Sequence, residues 1–270
     1  MQLKLVITDL DGTLLDENYD WRRAEKELRE LKKRNIPVIF CSGKTREEQR
    51  ELREEMGIND PYIVEDGSAI VIPDGFGDLS DVDLNGLDKL DSVELRREKG
   101  ETLIVLGESY DEIVRYLDEV ERDTGCLRYY ARMSDKEVSR VTGLSLERAG
   151  LARKREFSET LVEWCEEALK KIRERFNVEI GGRFAHVYGK GADKGRAVKL
   201  LRRLYEKLGY DVWILGIGNH YTDVPMLKAV DQPAIVKNPD GWIDVDIPGL
   251  YRAEGISTDG WREVIRKFIL

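Results

Sequence analysis

Residues that commonly build zinc sites are scarce in this chain: its 270 residues include two histidines and three cysteines. Two histidines are too few for a histidine-rich zinc centre. Cys41, Cys126 and Cys165 form no CxxC pair and are odd in number. The sequence therefore predicts no disulfide scaffold and a reducing, cytoplasmic setting. No apolar run is long enough to cross a bilayer, and Asp9 and Asp11 fall too early for a signal-peptide core, so no membrane partner is expected. Positive charge is in deficit as well. The 44 Lys and Arg stand against 53 Asp and Glu, giving a formal net charge of -9. Such a surface repels polyanions and argues against nucleic acid as the main ligand, while leaving room for a local basic pocket that holds a small anion. Internal repeats and low-complexity stretches are absent. The composition, 41% hydrophobic and 36% charged, supports a packed core and either one large domain or two unequal ones. It specifies no oligomeric state.

The order of apolar runs points to an α/β protein. Residues 3–8, LKLVIT, read as a buried parallel strand that ends on a carboxylate. A helix over 21–34, a strand over 36–43, a helix from Thr45 to Gly57 and a third strand at 61–64 follow, which is the opening of a doubly wound sheet. The rhythm changes near residue 84. Strands are expected at 102–107, 158–164 and around Gly181-Gly182, with helices at 109–122, after Ser134 and at 166–176. The α/β rhythm returns at Asp193, with a helix to about Leu208, strands at 212–218 and 234–237, a helix capped by Thr222, and an amphipathic tail from Gly260. The expected architecture is a Rossmann-like parallel-sheet core interrupted by an α+β cap. Core residues are 1–84 and 189–270, and the inserted, specificity-setting cap is 85–188.

Chemistry-bearing residues gather where the strands end. Asp9-Leu10-Asp11-Gly12-Thr13 directly follows the first strand, and ligands of open α/β sheets bind at the carboxyl ends of strands. Asp9 can attack phosphorus as an aspartyl nucleophile, and Asp11 can protonate a leaving oxygen and later activate water. Ser42-Gly43-Lys44-Thr45 closes the second strand. It offers a hydroxyl and main-chain N–H groups to a phosphate, or serves as an ordinary loop with a capping threonine; P-loop spacing is missing. Lys194 opens a helix and either neutralises phosphoryl oxygens or sits in solvent. Asn219 and Asp223, after the 212–218 strand, can join Asp9 and the carbonyl of Asp11 around a hard cation such as Mg2+.

With these four segments in this order, the chain resembles the haloacid dehalogenase-like phosphatases of the large-cap branch. Within that branch it is most similar to mannosyl-3-phosphoglycerate phosphatases, through SGKTREEQ at 42–49, EDGSAI at 65–70, REFSET at 155–160, GGRFAHV at 181–187, DKG at 193–195, TDVPML at 222–227 and DGWREVI at 259–265. The resemblance implies a magnesium-dependent phosphomonoesterase acting on a small phosphorylated sugar or sugar–glycerate. Asp9 would be the nucleophile, Asp11 the acid and base, Ser42 and Gly43 the phosphate-binding group, and Lys194 the charge stabiliser. Asp9, Asp11, Asn219 and Asp223 would hold the metal. From the cap, Arg183 would fork onto a glycerate carboxylate, while Glu159 and His186 would contact sugar hydroxyls. The sequence departs from the family where Asn219 replaces the usual first aspartate of the metal loop, Thr222 the usual asparagine, and Asp66 a frequent asparagine. A glucosyl-3-phosphoglycerate phosphatase and a catalytically weak phosphosugar-binding relative are the alternatives.

Overall fold

In the computed structural model, which describes residues 2–76, 93–98, 100–181 and 183–270, five parallel strands form the central sheet. They are β1 (Leu3–Thr8), β2 (Val38–Phe40), β11 (Val212–Gly218), β12 (Gln232–Lys237) and β13 (Tyr251–Ile256), in the order β13-β12-β11-β1-β2. β1 is an interior strand and dry: Leu5, Val6 and Ile7 are fully buried, each contributing about 1.5–3 kcal/mol of apolar burial. Its register aligns Thr8 with Ile217 on one side and Phe40 on the other. Asp9, Cys41-Ser42 and Gly218-Asn219 are thereby brought to one edge of the sheet. The last helix, α9 (Thr258–Phe268), packs beneath that edge, and the buried Trp261 indole donates to Thr8 Oγ1 at 3.1 Å.

Local capping explains the flanking helices. α2 (Arg46–Met56) starts in a Thr45–Glu48 capping box and ends at Gly57 with φ 64°, as the sequence predicts. Asp20 accepts from the Arg22 N–H at 2.9 Å and opens a short 3-10 turn ahead of α1 (Glu25–Lys33). The loop at 219–223 differs from expectation. Thr222 is not its cap; the turn at Tyr221–Asp223 is capped by His220 and leads into the short α8 (Val224–Leu227).

The strand at 61–64 also departs from its expected place. β3 (Tyr62–Val64) pairs antiparallel with β4 (Ala69–Pro73), which pairs with β6 (Glu101–Val105) and then β5 (Glu94–Glu98). It meets the end of β2 in a parallel Cys41–Ile63 bridge, with Ser42 N donating to the Ile63 carbonyl at 3.2 Å. The cause is a left-handed reversal: Glu65, Asp66 and Gly67 have φ of 49°, 58° and 89°, sending the chain straight back. β5 and β6, placed in the insert by an expected boundary near residue 84, thus pair with the first segment; that boundary lies outside the described residues.

The inserted layer holds a second antiparallel sheet, β7 (Arg128–Tyr129), β8 (Ser158–Glu163), β10 (Phe184–Gly189) and β9 (Phe176–Gly181). β9 and β10 form the expected hairpin, although Gly182 at its turn lies outside the described residues. Helices α3 (Tyr110–Thr124) and α6 (Glu166–Arg175) cover the sheet, and α4 (Asp135–Thr142) and α5 (Leu146–Ala152) stand at its end. α7 (Lys194–Lys207) returns the chain to the core. The expected lack of disulfides is overturned here. Cys126, just past α3, and Cys165, at the start of α6, are bonded with Cα atoms 5.8 Å apart, because the pairing of α3 with α6 brings two distant cysteines together. Cys41 is free and buried. Among the described residues no helix is long and apolar enough to cross a membrane.

Candidate active site

Lys194 is the electrostatic centre of the strand-end edge. It is the first residue of α7, whose start is fixed by Asp193 accepting from Arg196 N at 2.7 Å. Gly67 makes room for this approach: a Cβ there would lie 2.3 Å from the Asp193 carbonyl carbon. The buried ammonium lies 2.7 Å from Asp223 Oδ1, 3.1 Å from Asp9 Oδ1 and 4.0 Å from Asp66 Oδ1. Burial opposes its charge, but Asp223 and Asp9 outweigh that and hold it well above the ordinary lysine value. Burial and the neighbouring Asp223 push the Asp9 carboxyl up to about 7, against the pull of Lys194. Three buried carboxylates around one ammonium leave negative charge in excess.

That excess, and an all-oxygen donor set, bear on a metal. Thr13 Oγ1 stands 3.3 Å from Asp9 Oδ2 and 3.1 Å from Asn219 Oδ1, so the two oxygens lie on either side of one hydroxyl. The Asn219 amide is oriented from behind: its Nδ2 donates to Asn238 Oδ1 at 2.9 Å, and Asn238 Nδ2 donates to the Asn219 carbonyl at 2.9 Å. This arrangement directs Asn219 Oδ1 towards Asp9. Gly12, with φ 71°, lets the main chain pass the amide; a Cβ would fall 2.5 Å from Asn219 Nδ2. Asp223 is committed elsewhere, since its Oδ2 accepts from the N–H groups of Asn219 (2.9 Å) and His220 (3.1 Å). Among the described residues no three His, Cys, Asp or Glu side chains converge as a metal cluster. The donors fit a hard, oxygen-preferring cation that draws on an amide and main-chain oxygen as well as carboxylate.

Asp11 differs from Asp9 in environment. Its side chain is 51% exposed and pairs with Lys44 Nζ at 3.0 Å. Lys44 is itself held over the Tyr19 ring at 4.9 Å. Sequence reasoning passed over Lys44 as a side chain, although it stands inside the SGKT string. Ser42 and Gly43 line the same cavity, a space of about 340 Å³ between core and cap that also reaches Asp9, Asp11 and Lys194. Gly43 faces the Asp66 carboxylate so closely that a Cβ would sit 2.8 Å from it.

The cap residues singled out in the sequence are dispersed. His186 lines the cavity, with Nδ1 3.7 Å from Asp66 Oδ2. Arg183 is on its wall but exposed, and its Nη2 donates to the Thr142 carbonyl at 3.2 Å. Glu159 is not a cavity residue. Its fully buried carboxylate accepts from Tyr110 Oη (2.8 Å), Ala131 N (2.9 Å) and Thr160 N (2.6 Å) inside the cap. β-strand alternation accounts for this: the neighbouring Thr160 faces the cavity in its place. Arg155 and Thr160, both in the REFSET string, line the cavity although the sequence reading gave neither a role, and Asp66, noted in the sequence only as a departure from the family, lines it too.

Core and cap are joined by a buried contact. Glu65, in its left-handed conformation, accepts from Glu156 N at 2.9 Å, Phe157 N at 3.1 Å and the Ser158 hydroxyl, with Arg155 Nη1 3.9 Å away. Thr45 Oγ1 adds a bond to the Leu151 carbonyl at 3.0 Å.

Comparison with known proteins agrees in scale with this two-layer arrangement. The haloacid dehalogenase-like hydrolase family profile matches residues 6–240. A glucosyl-3-phosphoglycerate/mannosyl-3-phosphoglycerate phosphatase of Persephonella marina is 32% identical over 273 residues, covering 98% of this chain and 97% of that protein. A mannosyl-3-phosphoglycerate phosphatase of Pyrococcus furiosus is 37% identical over 232 residues, covering 85% of this chain and 89% of the relative. The sucrose-phosphatase structure from Synechocystis superposes with a TM-score of 0.60 at 18% identity, over 99% of this chain and 98% of that one, a likeness of fold.

Proposed function

Because this chain belongs to the haloacid dehalogenase-like hydrolases and is a phosphatase related to the mannosyl- and glucosyl-3-phosphoglycerate phosphatases, we propose that it converts 2-O-mannosyl-3-phosphoglycerate to mannosylglycerate through an aspartyl-phosphate on Asp9. The observation that carries this reading is the Lys194 ammonium bridging Asp9 and Asp223 at the floor of a 340 Å³ cavity roofed by the cap.

In this reading Asp9 attacks phosphorus, forming a bond to its carboxylate oxygen as the bond to the sugar–glycerate oxygen breaks. Asp11, half-exposed and held by Lys44, gives that departing oxygen a proton. It then takes a proton from water, whose oxygen attacks the phosphorus and frees phosphate and Asp9. Ser42 and Gly43 contact the transferring phosphoryl group, and Lys194 offsets its charge. Mg2+ held by Asp9, the Asp11 carbonyl and Asn219, with Asp223 contributing through water, would supply further positive charge at the phosphoryl oxygens. Positioning and electrostatics account for most of the acceleration.

The name of the Persephonella relative covers glucosyl as well as mannosyl substrates, so the glucosyl compound is the second reading. Phosphate release with added Mg2+ tests both. Mannosyl- and glucosyl-3-phosphoglycerate are compared with sucrose phosphate and a small aryl phosphate, and selective turnover of the glycerate compounds is expected. Turnover of other esters alone discards the substrate and keeps the phosphatase. Binding of the glycerate compounds without turnover at any Mg2+ concentration would make the chain the catalytically weak relative that Asn219 suggests. Asp9→Asn should abolish turnover, and Asp11→Asn should leave slow phosphorylation with poor hydrolysis.

A further inference from the structure

Asn219 stands where a carboxylate would have two equivalent oxygens; its amide has two unlike ends of nearly equal size. Only the oxygen end can face a cation. The field around it favours the other end. The buried carboxylates of Asp9, Asp66 and Asp223 share the Lys194 ammonium, and that negative excess attracts the amide N–H groups. Asn219 Oδ1 is nevertheless turned inward, 3.1 Å from Thr13 Oγ1, which is also 3.3 Å from Asp9 Oδ2. One hydroxyl proton serves only one of those two oxygens at a time, so an acceptor is left over where positive charge is lacking.

Asn238 opposes that field. β11 and β12 pair in parallel, with Gly218 beside Ile235, and Asn219 and Asn238 each follow directly after their strand. Asn238 Nδ2 donates at 2.9 Å to the Asn219 main-chain carbonyl, a group that can only accept. That bond fixes which way the Asn238 amide faces, and leaves its Oδ1 to accept from Asn219 Nδ2 at 2.9 Å. With Nδ2 so held, Asn219 has to present Oδ1 towards Asp9. The anchor is itself rigid. Asn238 N donates to the Gly241 carbonyl at 2.9 Å, and the Asn238 carbonyl accepts from Gly241 N at 3.0 Å. The pair closes a turn over Pro239 and Asp240 in which Gly241 has φ 118°, a value that glycine takes without steric cost.

We propose that Asn238 is a positioning residue for the metal: it holds the Asn219 amide oxygen-first against the pull of the carboxylates, so that an amide serves where a carboxylate would serve unaided. The inference rests on the Mg2+ reading of the site, and the test separates the two. Removing the Asn238 oxygen frees Asn219 to turn its N–H groups towards Asp9. A hydrogen bond to a charged group favours that flip about 10- to 100-fold. Apparent metal affinity falls by the same factor, because only the unflipped fraction can bind.

The measurement is the Mg2+ dependence of Tm in metal-stripped protein, which yields a Kd without turnover. Asn238→Leu should weaken Mg2+ binding at least about tenfold. Asn238→Asp keeps an oxygen facing Asn219 Nδ2 and loses only the donor to the Asn219 carbonyl, so it should bind Mg2+ as the native protein does or more tightly. An Asn219→Asp background has no wrong end to hold, and there Asn238→Leu should change the Kd by less than about threefold. Where Asn238→Leu folds poorly, Asn238→Ser replaces it in both backgrounds: serine suits the turn but is too short to reach Asn219 Nδ2. An equal loss in both backgrounds, or a loss in Asn238→Asp that matches the loss in Asn238→Leu, would mean that Asn238 only braces the loop, and would overturn the proposal. Native affinity in Asn238→Leu would overturn it as well. A native protein whose Tm ignores Mg2+ would instead overturn the metal reading, and the inference with it.

Discussion

Reducing the Cys126–Cys165 bond should loosen the cap before it loosens the core. The bond joins residues 39 apart, and closing a loop of that length removes unfolded-state entropy worth on the order of 4 kcal/mol at 25 °C. Both sulfurs belong to the cluster around Leu117, Leu169 and Phe176, which packs α3 and α6 onto the cap sheet. If the whole chain unfolds as one unit, the loss should lower Tm by about 7 °C. If the roughly 80 residues from Tyr110 to Gly189 unfold on their own, the smaller unfolding entropy makes the same loss about 20 °C for that transition. Calorimetry of native protein and of Cys126→Ala/Cys165→Ala distinguishes the cases. Thiol titration in denaturant supplies the control. One thiol, that of Cys41, should react without reductant and all three after reduction. Three reactive thiols before reduction would refute the bond, and an unchanged double variant would refute the reasoning from loop closure.

Lys194→Met removes the cation from two buried carboxylates. It should cost about 3–5 kcal/mol by denaturant unfolding and lower phosphate release at least about a hundredfold; native-like turnover would refute its role. Asn219→Asp places a carboxylate oxygen against Asn238 Oδ1, where the amide now donates. It should destabilise the metal-free protein by about 1–3 kcal/mol and raise Tm more steeply with added Mg2+ than the native protein does; identical Mg2+ responses would exclude residue 219 from the metal site. Burial raises the Glu27 carboxyl, but hydrogen bonds from Arg266 and Arg262 outweigh it and the net shift is downward. A depressed carboxyl contributes stability that is present above its unfolded value near 4.5 and is lost as pH falls below it. Glu27→Gln should therefore lower Tm at neutral pH and flatten its fall in acid, and parallel acid limbs would refute the linkage.

What the sequence revealed follows from how local each signal is. Asp9, Asp11 and Asn219 end apolar strands that pair in register, so one-dimensional order translated directly into neighbourhood. The Thr45 cap and the Ser134–Glu137 capping box were likewise local and were found as expected, with Glu48 completing a box at Thr45 as well. Contacts between distant segments were not legible in this way. Nothing local in GCLRYYARM or in TLVEWCEE says that Cys126 meets Cys165. β13 was missed because Tyr251–Ile256 is short and sets Arg252 and Glu254 between its apolar residues, as suits an edge strand. Glu159 and Thr160 show the limit of motif reading: the string REFSET marks the right place, but strand alternation decides which side chain enters the cavity and which becomes part of the cap's interior.

The Glu65 contact has a consequence for how material enters and leaves. A carboxylate with no exposed surface, gripped by Glu156 N, Phe157 N and Ser158, cannot give way by degrees, because the first lost bond strands a charge away from water. Material can therefore pass between cap and core at this contact only where the three bonds to Glu65 break together.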